Sequence, residues 1–380
     1  MANMNANAYL IGVPGGRRSL DTPALLIDLP ALKRNIARMA ELARSRGIGL
    51  RPHVKSHKSV EIARVQIEAG ALGVCCATLG EAEVMIEAGI PGVLITSPVV
   101  GKNKLRRLAA LAGKAGPNGL MVVVDNAQNV ADLAQAVAGL AYPLQVLIDY
   151  HAGYHRTGVV DEQAALALAR GIASEDSLFL RGLQAYGGHL QHIGDRKQRQ
   201  DAAANLRSNV SKLIAALEAQ GTRLDIVTGV GTGTHDLDSM DHVYTEMQVG
   251  SYVFMDVEYA QALTDPQHPL SFETSLFVQS TVVSTNAEQW VTVDAGIKSF
   301  ATDSVKPVVA RGIDGSSRYD FYGDEHGKLI VDATHRPELG ARIEFIAPHC
   351  DPTVNLHSFY HVVDGDTLID IWPIQARGRL

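Results

Sequence analysis

The segment RPHVKSHK, residues 51–58, concentrates basic side chains that could do chemistry. Residues two apart on an extended strand share a face, so we expect Arg51, His53 and Lys55 to point the same way. A charged trio inside an apolar barrel is costly unless it is paired or used. A buried lysine has a lowered pKa and can act as a nucleophile that forms a Schiff base. The pattern alone leaves a second interpretation open, a basic loop at the start of a helix.

The segment TGVGTGT, from Thr228 to Thr234, follows the apolar run RLDIV. Glycines and hydroxyls after a strand can wrap backbone N–H groups around a phosphate. A Walker-type phosphate loop is excluded because no Gly-Lys-Ser/Thr follows. The run QVGSY, from Gln248 to Tyr252, comes at the end of the next predicted strand and could close the same phosphate site. A flexible turn is the alternative interpretation.

The segment PHCDP places His349 and Asp351 two residues apart. In an extended chain these two side chains would share one face and Cys350 would lie on the other. An imidazole and a carboxylate on one face can ligate a divalent metal. Two ligands are too few for a closed structural zinc site, which needs four. The alternative is a surface histidine and aspartate in a turn bounded by prolines.

The elements that must position these residues alternate along most of the chain. Strand-like apolar runs followed by helical patterns predict a parallel sheet with crossover helices. About eight such units in roughly 250 residues match a closed (β/α)8 TIM barrel. A doubly wound sheet is the second choice, since no first strand–helix turn carries G-x-G-x-x-G. The predicted strands are TPALLIDL, GLRPHVK, LGVCCAT, GVLITSP, LMVVVDN, LQVLIDY, LRGLQAY, RLDIVTG and the run from Tyr244 to Phe254.

After about Glu273 the pattern changes to short β-rich runs broken by Gly, Asp and Asn, which predicts an antiparallel β domain. The predicted fold class is therefore α/β, with an N-terminal barrel and a C-terminal antiparallel β domain. We place the barrel at residues 29–272 and the β domain, with the metal pair, at 273–380. Residues 1–28 form an N-terminal segment that is expected to pair with the β domain.

Composition limits the classes of function. The 380 residues are 46% hydrophobic and 20% charged, with a net charge of −7, which is typical of a globular protein with a large core. No Lys/Arg-rich run occurs, which argues against nucleic acid or an anionic membrane as a partner. Three cysteines, no signal-like start and no apolar run near the length of a membrane span predict a reduced, cytoplasmic protein.

Several motifs, in order, resemble one family. They are RPHVKSHK, GVCCATLGEAE, HRTGV, LQAYGGHLQH, TGVGTGT, YTEMQVGSYVFMD, VDAGIKS, DEHG and PHCDPTVNLH. The chain is similar to the pyridoxal-phosphate enzymes of fold type III that include D-threonine aldolase, 3-hydroxy-D-aspartate aldolase and D-serine dehydratase. The resemblance extends from Asp21 to Ile374. It implies a pyridoxal 5'-phosphate-binding barrel like that of alanine racemase, a C-terminal β domain and a homodimer.

The resemblance also implies roles for individual residues. The family's Schiff-base lysine falls on Lys55, the arginine that faces the cofactor ring on Arg156, and the cofactor-site tyrosine on Tyr186. The phosphate site falls on the two glycine-rich stretches, at Thr228, Gly231, Thr232, Gly233, Gln248, Gly250, Ser251 and Tyr252. Beside Lys55, the catalytic residues implied are His192, near the substrate hydroxyl, and Asp324, the acidic residue of DEHG. The metal pair falls on His349 and Asp351.

The metal motif separates members of the family. The dehydratases resemble H-x-C and the aldolases H-x-D, so Asp351 indicates an aldolase acting on a small D-3-hydroxy amino acid. D-Threonine, giving glycine and acetaldehyde, is the first expected substrate. The alternatives are a 3-hydroxy-D-aspartate aldolase and then a D-serine or D-3-hydroxyaspartate dehydratase. Nitrogen and oxygen ligands suit Mn, the metal we expect, and also Mg, Co or Zn.

Two further classes of function stay open from the residues. A racemase would need a second acid/base and no metal, and a non-catalytic cofactor-binding protein would need neither metal ligand. Two departures from the family pattern concern the substrate. Ala77 and Thr78 stand where Gln-Lys is usual, and His151, with His155 nearby, stands where an acidic residue is usual. The preferred substrate side chain is therefore open.

Overall fold

In the computed structural model, residues 5–240, 242–265, 268 and 272–379 are described. Residues 1–4 and 380 of the predicted domains lie outside them. The chain divides into two compact units. We call the unit made of residues up to 38, 56–61 and 251–377 the sheet unit, and the unit made of 39–55, 62–250 and the C-terminal end the barrel unit. The first strand, β1 (Ala24–Asp28), is followed by helix α1 (Leu29–Arg46), which contains the boundary between the units.

The barrel unit contains eight parallel strands. These are β2 (Gly49–Leu50), β3 (Cys75–Cys76), β4 (Val93–Ile95), β5 (Leu120–Val124), β6 (Leu144–Asp149), β7 (Leu178–Ala185), β8 (Ile226–Gly229) and β9 (Glu246–Met247). Helices follow them: α2 (Val60–Glu68), α3 (Leu79–Glu87), α4 (Lys102–Ala115), α5 (Ala127–Val137), α6 (Glu162–Ala173), α7 (Arg196–Ala219) and the short α8 (His235–Asp238).

The strand order is β2-β9-β8-β7-β6-β5-β4-β3, and a parallel bridge between His53 and Cys75 joins the two ends of that order. Backbone hydrogen bonds from Leu72 N to Leu50 O and from Cys75 N to Pro52 O, both 2.8 Å, strengthen this junction. The predicted (β/α)8 barrel is thus confirmed. Its strands read as continuous apolar runs because they are buried on both faces, as in β5, where all five residues are buried.

The sheet unit contains the remaining strands. After β1 these are β10 (Leu276–Ser284), β11 (Val291–Val293), β12 (Val308–Arg311), β13 (Ser317–Phe321), β14 (Gly327–Val331), β15 (Arg342–Ile346), β16 (Phe359–Asp364) and β17 (Thr367–Pro373). Two helices, α9 (Val257–Leu263) and α10 (Cys350–Leu356), complete it. Short 3-10 helices in the chain are Ala8–Leu10, Gly16–Ser19, Val54–Ser56, Gly188–Leu190, Thr232–Thr234, Ser251–Val253, Ile297–Ser299 and Ala333–His335.

The sheet of this unit has the order β13-β14-β11-β10-β1-β16-β17, and β15 pairs with both β10 and β12. The pairs are antiparallel, as predicted, except that β1 runs parallel to β16. A parallel neighbour is possible because β1 comes from the far end of the chain and is not joined to β16 by a hairpin. Its apolar face packs in a cluster of buried side chains: Leu10, Leu20, Ala24, Leu26, Phe277, Val363 and Leu368.

Two of the predicted strands are shorter than expected. Strand β2 ends at Leu50, and β9 ends at Met247, so the end of the run that was predicted to reach Phe254 is a 3-10 helix instead. Residues 251–272 group with the sheet unit and not with the barrel, because backbone hydrogen bonds bind them there. These include Ser275 N to Phe254 O (2.9 Å) and Val257 N to Ala347 O (3.1 Å). Among the described residues, no helix is both long and apolar enough to cross a bilayer.

Candidate active site

Lys55 lies in the 3-10 turn Val54–Ser56, just beyond the carboxyl end of β2, and its side chain is half-buried. The carboxyl ends of barrel strands are where catalytic residues of this fold are found. Because the strand stops at Leu50, the predicted period-two alignment of Arg51, His53 and Lys55 on one strand face is wrong. Lys55 is presented by a turn, and the other two basic residues have separate tasks.

Arg51 is buried, with 5% exposure, and forms a bidentate ion pair with Glu246 of β9, with both N···O distances at 2.7 Å. Burial opposes its charge, but the Glu246 carboxylate raises the pKa of Arg51 above its ordinary value. A buried guanidinium is tolerated when its charge is matched in this way. Arg51 therefore fixes the strand end that leads to Lys55.

His53 supports the lysine turn directly. Its Nε2 lies 3.0 Å from Thr96 Oγ1, which itself donates to Cys76 O at 3.1 Å, and its Nδ1 accepts the Lys55 backbone N–H at 3.3 Å. The ring thus connects the turn that carries Lys55 to the ends of β3 and β4. Sequence reasoning placed His53 beside Lys55 but did not assign it this structural role.

Arg156 and Tyr186, two residues predicted to hold the cofactor ring, line the same small cavity of about 20 Å³ in the barrel unit. Tyr186 follows β7, and the exposed Arg156 lies in the segment after β6, where its guanidinium is 5.5 Å from the centroid of the Tyr154 ring. The structure therefore brings this predicted pair together. The full lining is Asp149, Tyr150, Ala152, Tyr154, Arg156, Thr157, Gln184 and Tyr186.

A chain of buried polar side chains runs behind this cavity. Gln248 Nε2 donates to Gln184 Oε1 at 3.1 Å, and Gln184 Nε2 donates to Asp149 Oδ1 at 2.8 Å. Thr157 Oγ1 donates to the other Asp149 oxygen at 2.6 Å, next to Arg156. Burial raises the pKa of Asp149, and the hydrogen bonds from Thr157 and Gln184 partly oppose that rise. Of this chain only Gln248 was predicted as a site residue, and it contributes through Gln184.

The glycine-rich segment is a tight structure and not a flexible turn. Gly233 N donates to Gln191 Oε1 at 2.8 Å. A Cβ atom at Gly231 would overlap the Gln191 side chain, and one at Gly233 would overlap the Gln191 backbone. Both positions therefore need glycine. Thr228, at the end of β8, is fully buried, and its Oγ1 has no hydrogen-bond partner among the described residues.

The second predicted phosphate stretch crosses the boundary between the units, and Gly250 is the last residue of the barrel unit before it. In the sheet unit, Ser251 forms a side-chain hydrogen bond with the Cys350 thiol. Tyr252 is fully buried, and its ring meets Phe272 edge to face with 5.6 Å between centroids. Thr232, also buried, lies in the 3-10 helix Thr232–Thr234. Their phosphate roles stay predictions.

His192 lies in an exposed turn after the 3-10 helix Gly188–Leu190 of the barrel unit. Asp324 belongs to the sheet unit, where its side chain is 70% exposed and lies 3.7 Å from Lys298 Nζ. The catalytic roles of His192 and Asp324 stay predictions that rest on the resemblance.

His151 and His155 lie in the segment between β6 and α6. The rings are 3.9 Å apart between centroids, and His151 Nε2 accepts the His155 backbone N–H at 2.9 Å. Hydrogen bonds from His151 N to Val159 O (3.0 Å) and from Val159 N to Asp149 O (2.9 Å) join the start of this segment to Val159. Along the chain the two histidines thus flank Tyr154, and Arg156 follows His155 directly.

His349 and Asp351 do not lie in an extended chain. His349 is the residue before α10, and Cys350 and Asp351 form the first turn of that helix. The prediction that Cys350 faces away from Asp351 is wrong, since its Sγ lies 3.3 Å from Asp351 Oδ1. The thiol is completely buried, and burial together with Asp256 and Asp351 raises its pKa. Two alternating faces require a strand, and the helix start removes that alternation.

Carboxylates surround His349 in the sheet unit. Asp303 Oδ2 lies 2.8 Å from His349 Nδ1, and Glu258 Oε2 lies 4.0 Å from the same nitrogen. Burial alone would lower the pKa of His349, but Asp351 and the hydrogen bond to Asp303 raise it above the ordinary value. The pair predicted from the sequence is therefore part of a larger acidic group. Neither Asp303 nor Glu258 carried a sequence signal that singled it out.

Asp256 was also missed, although it closes the motif YTEMQVGSYVFMD. Its Oδ1 accepts Tyr259 N at 2.8 Å and caps α9, and its Oδ2 accepts Cys350 N at 2.9 Å at the start of α10. One buried carboxyl thus joins two helix starts, a role that N-terminal N–H groups favour. Burial raises its pKa to about 6. An aspartate before a helical pattern is the signal that could have identified it.

Comparisons with known proteins match both parts of the chain. The family model for the alanine racemase N-terminal domain matches residues 27–258, and that for a putative serine dehydratase domain matches residues 275–363. D-Threonine aldolase of Arthrobacter sp. is 38% identical over 94% of this chain and 93% of that protein. The chain belongs to the D-threonine aldolase family.

Other members of the D-threonine aldolase family are similar over the full length. 3-Hydroxy-D-aspartate aldolase of Paracoccus denitrificans (strain Pd 1222) is 36% identical over 100% of this chain and 99% of that protein. The crystal structure of D-threonine aldolase from Filomicrobium marinum matches with a TM-score of 0.91 and 40% identity, covering 96% of this chain and 97% of that one. The protein is accordingly an enzyme, an aldolase of the carbon–carbon lyase class.

The family implies pyridoxal phosphate, and the barrel unit of this aldolase fits that cofactor. Lys55 stands at a strand end, and a cation and a phenol line one cavity. The glycines at 231 and 233 leave no side chain over the backbone of the glycine-rich segment, and the buried Thr228 Oγ1 lacks a partner among the described residues. A buried hydroxyl without a partner in the protein is expected where a ligand supplies one.

A divalent metal is compatible with the donors at His349 and Asp351, which are one nitrogen and one carboxylate. Among the described residues no group of three or more His, Cys, Asp and Glu side chains is arranged to hold a metal. Two protein donors leave positions for water and substrate, as in catalytic sites. The carboxylate on His349 Nδ1 is the partner that metal-binding histidines usually have. The fit is therefore to an open site and not to a closed structural one.

Proposed function

We propose that this aldolase is a D-threonine aldolase that uses pyridoxal phosphate and a divalent metal, Mn²⁺ first, to convert D-threonine into glycine and acetaldehyde. The observation that carries the proposal is the pair of His349 and Asp351 at the start of α10. A carboxylate at this position is a hard oxygen ligand, suited to a Lewis acid that polarises a hydroxyl. The identity to D-threonine aldolases from two organisms supports the same substrate.

In this proposal the cofactor residues have separate tasks. Pyridoxal phosphate, bound through Lys55, supplies an electron sink for the α-carbon. Arg156 and Tyr186 hold its ring, and the Asp149–Gln184 pair keeps the segment beside Arg156 in place through Thr157. The Gly231–Gly233 stretch and Thr228 hold the phosphate with neutral donors. Gln248, Gly250, Ser251 and Tyr252 extend that phosphate site.

His349 and Asp351 would hold the metal, which polarises the substrate hydroxyl and so lowers its pKa. His192 accepts the hydroxyl proton at a ring nitrogen, which a neutral imidazole can do near pH 7. The bond between the α and β carbons then breaks, and acetaldehyde leaves. A proton returned to the α-carbon completes glycine, so all atoms of D-threonine are accounted for. Asp324, the acidic residue of the DEHG motif, is the remaining residue to which the proposal gives a catalytic role.

A second substrate is supported by a specific feature. His151 and His155 stand beside the Tyr154–Arg156 pair, where imidazoles and a guanidinium suit a second carboxylate on the substrate. 3-Hydroxy-D-aspartate has such a second carboxylate, which would interact with these side chains. Its cleavage would give glycine and glyoxylate. A relative 36% identical is named for that reaction. Dehydration of D-serine or D-3-hydroxyaspartate is the third choice, since the metal pair here contains a carboxylate and not a thiol.

Product analysis tests the proposal. The enzyme loaded with cofactor and Mn²⁺ is incubated separately with D-threonine, L-threonine and D-3-hydroxyaspartate, and products are separated by chromatography. We expect acetaldehyde and glycine from D-threonine and none from L-threonine. Glyoxylate formed from hydroxyaspartate alone moves the assignment to the second substrate. Keto acid and ammonia in place of an aldehyde would show a dehydratase and refute the proposal.

We also propose a homodimer and a cytoplasmic location. The three cysteines form no disulfide and are buried, as expected for a reduced compartment. Light scattering on the purified holoenzyme measures the mass against the 40.7 kDa of one chain. A mass of one chain would contradict the dimer.

A further inference from the structure

The contacts of His349 suggest which residues orient it. His349 precedes α10, and its backbone carbonyl accepts the Thr353 hydroxyl at 2.8 Å. The same hydroxyl accepts the backbone N–H of Ala301 at 2.9 Å. Thr353 therefore fastens the segment after the 3-10 helix Ile297–Ser299 to the start of α10. That segment carries Asp303 two residues further on, within 2.8 Å of the His349 ring.

The contact between Asp303 and the His349 ring determines which ring nitrogen carries the hydrogen. Asp303 has only acceptor oxygens when it is ionised, so His349 Nδ1 must carry the hydrogen of this bond. In the neutral ring the lone pair then belongs to Nε2, which is the atom left for a metal. A carboxylate on the opposite nitrogen also makes the ligand more basic and holds its plane. Both effects change the imidazole of His349 and do not change the fold.

We propose that Asp303 is the positioning residue of the metal site, holding His349 in the tautomer and orientation in which Nε2 binds a divalent cation. This inference rests on the proposed function, since it takes His349 as a metal ligand. Asp303 acts through the ring, since its Oδ2 accepts the hydrogen on Nδ1. Its place in the VDAGIKSFATD stretch lies just beyond the motif VDAGIKS.

Two features separate this role from a structural one. The Asp303 side chain is 52% exposed, so its removal opens no buried cavity. Asp256, which holds the start of α10 by hydrogen bonds to backbone N–H groups, is fully buried and would affect stability when removed. Asp303 is therefore expected to change metal affinity with little change in the melting temperature.

The test measures Mn²⁺ affinity on the chelator-treated holoenzyme, from the electron paramagnetic resonance signal of free Mn²⁺. Asp303→Ala is expected to weaken binding about tenfold to hundredfold, the usual effect of losing such a partner. Asp303→Asn keeps an oxygen acceptor for Nδ1 and is expected to bind more tightly than the alanine variant. The matched control is Asp314→Ala, which removes the same charge from another exposed residue of the sheet unit.

Asp303→Ala binding Mn²⁺ within twofold of the wild type would overturn the inference, and so would an equal loss in Asp314→Ala. A loss of cofactor absorbance or of melting temperature together with metal affinity would show a structural role and also overturn it. The proposed function fails separately. If the wild type cleaves D-threonine fully without binding Mn²⁺, the proposed function and the role of Asp303 are both refuted. If the wild type is active and depends on Mn²⁺, and Asp303→Ala binds Mn²⁺ as the wild type does, only the role of Asp303 is refuted.

Discussion

The glycine-rich segment of the barrel unit and the start of α10 in the sheet unit differ in the groups they offer. The first presents glycine backbone at 231 and 233 and the buried hydroxyl of Thr228, whose Oγ1 has no hydrogen-bond partner among the described residues. The second presents His349 among carboxylates, with Asp303 at 2.8 Å and Glu258 at 4.0 Å. Neutral donors suit an anion such as phosphate, and acidic groups suit a cation.

This difference shows how one chain can offer one region to a negatively charged ligand and another region to a positively charged ligand. In the barrel unit, the buried Asp149 accepts hydrogen bonds from the neutral side chains of Gln184 and Thr157, and the charge of Arg51 is matched by Glu246. Near α10, Asp351, Asp303 and Asp256 all act on the single imidazole of His349. A cation there would reduce their mutual repulsion, whereas a phosphate would increase it.

The largest expected effect is on the cofactor. Lys55→Ala should abolish both the visible absorbance of the bound cofactor and all turnover, because no other amine stands in the turn after β2. Borohydride reduction of the wild type, followed by peptide mass mapping, should place the cofactor on Lys55. Lys58→Ala serves as control and should keep the absorbance. A cofactor label on Lys58 would contradict the assignment.

The next effect concerns the metal alone. Asp351→Ala should lower Mn²⁺ affinity and turnover together by at least about a hundredfold, because it removes one of two protein donors. The cofactor absorbance should not change. Cys350→Ser is the matched neighbour, and its hydroxyl can keep the contact with Asp351. We expect it to retain most activity, and a loss equal to that of Asp351→Ala would make the sulfur a ligand.

A smaller effect is expected at the phosphate segment. Gly233→Ala forces the chain away from the Gln191 backbone and should weaken cofactor affinity about tenfold, or about 1.4 kcal/mol. Titration of the apoenzyme with pyridoxal phosphate, followed by absorbance, measures it. Gly139→Ala is a control, because a Cβ at Gly139 meets nothing within 4 Å. Equal affinity in both variants would mean that Gly233 does not hold the phosphate.

The smallest effect concerns pH. Burial raises the pKa of Asp149 in the folded protein. When the pH is just above the ordinary aspartate pKa of about 4, the folded state therefore keeps a proton on Asp149 that the unfolded chain has lost. By linkage, the unfolding free energy then falls as pH rises through this window. Asp149→Asn should remove that part of the slope when urea unfolding is measured over a series of pH values upward from about pH 4. An unchanged slope would show that Asp149 is ionised throughout.

Much of the fold could be predicted because it depends on regular patterns. The barrel strands are buried on both faces and read as apolar runs, as in LMVVV, and the helices end at glycines. The lengths of strands could not be predicted in the same way. GLRPHVK has a strand-like alternation, but Arg51 turns toward Glu246, a residue nearly two hundred positions away along the chain, and the strand ends early. Such a partner is visible only in three dimensions.

The candidate site shows the same limit. Lys55, Arg156 and the glycine-rich segment came from local motifs, and the structure brings Arg156 and Tyr186 to one cavity. Asp303 and Asp256 act on His349 and Cys350 from distant segments, so no spacing rule connects them. The error at Cys350 has a local cause, since a proline after Asp351 is compatible with the first turn of a helix as well as with a turn.

Strand β1 has a consequence for biosynthesis. Its two neighbours, β10 and β16, both follow the barrel along the chain, so a nascent chain presents β1 long before either neighbour leaves the ribosome. All eight barrel strands are made before β10 and can pair with each other in that interval. The backbone N–H and C=O groups along the edges of β1 stay without their final partners until β10 and β16 have been translated, and a chain that stops before β16 leaves one edge open to other molecules.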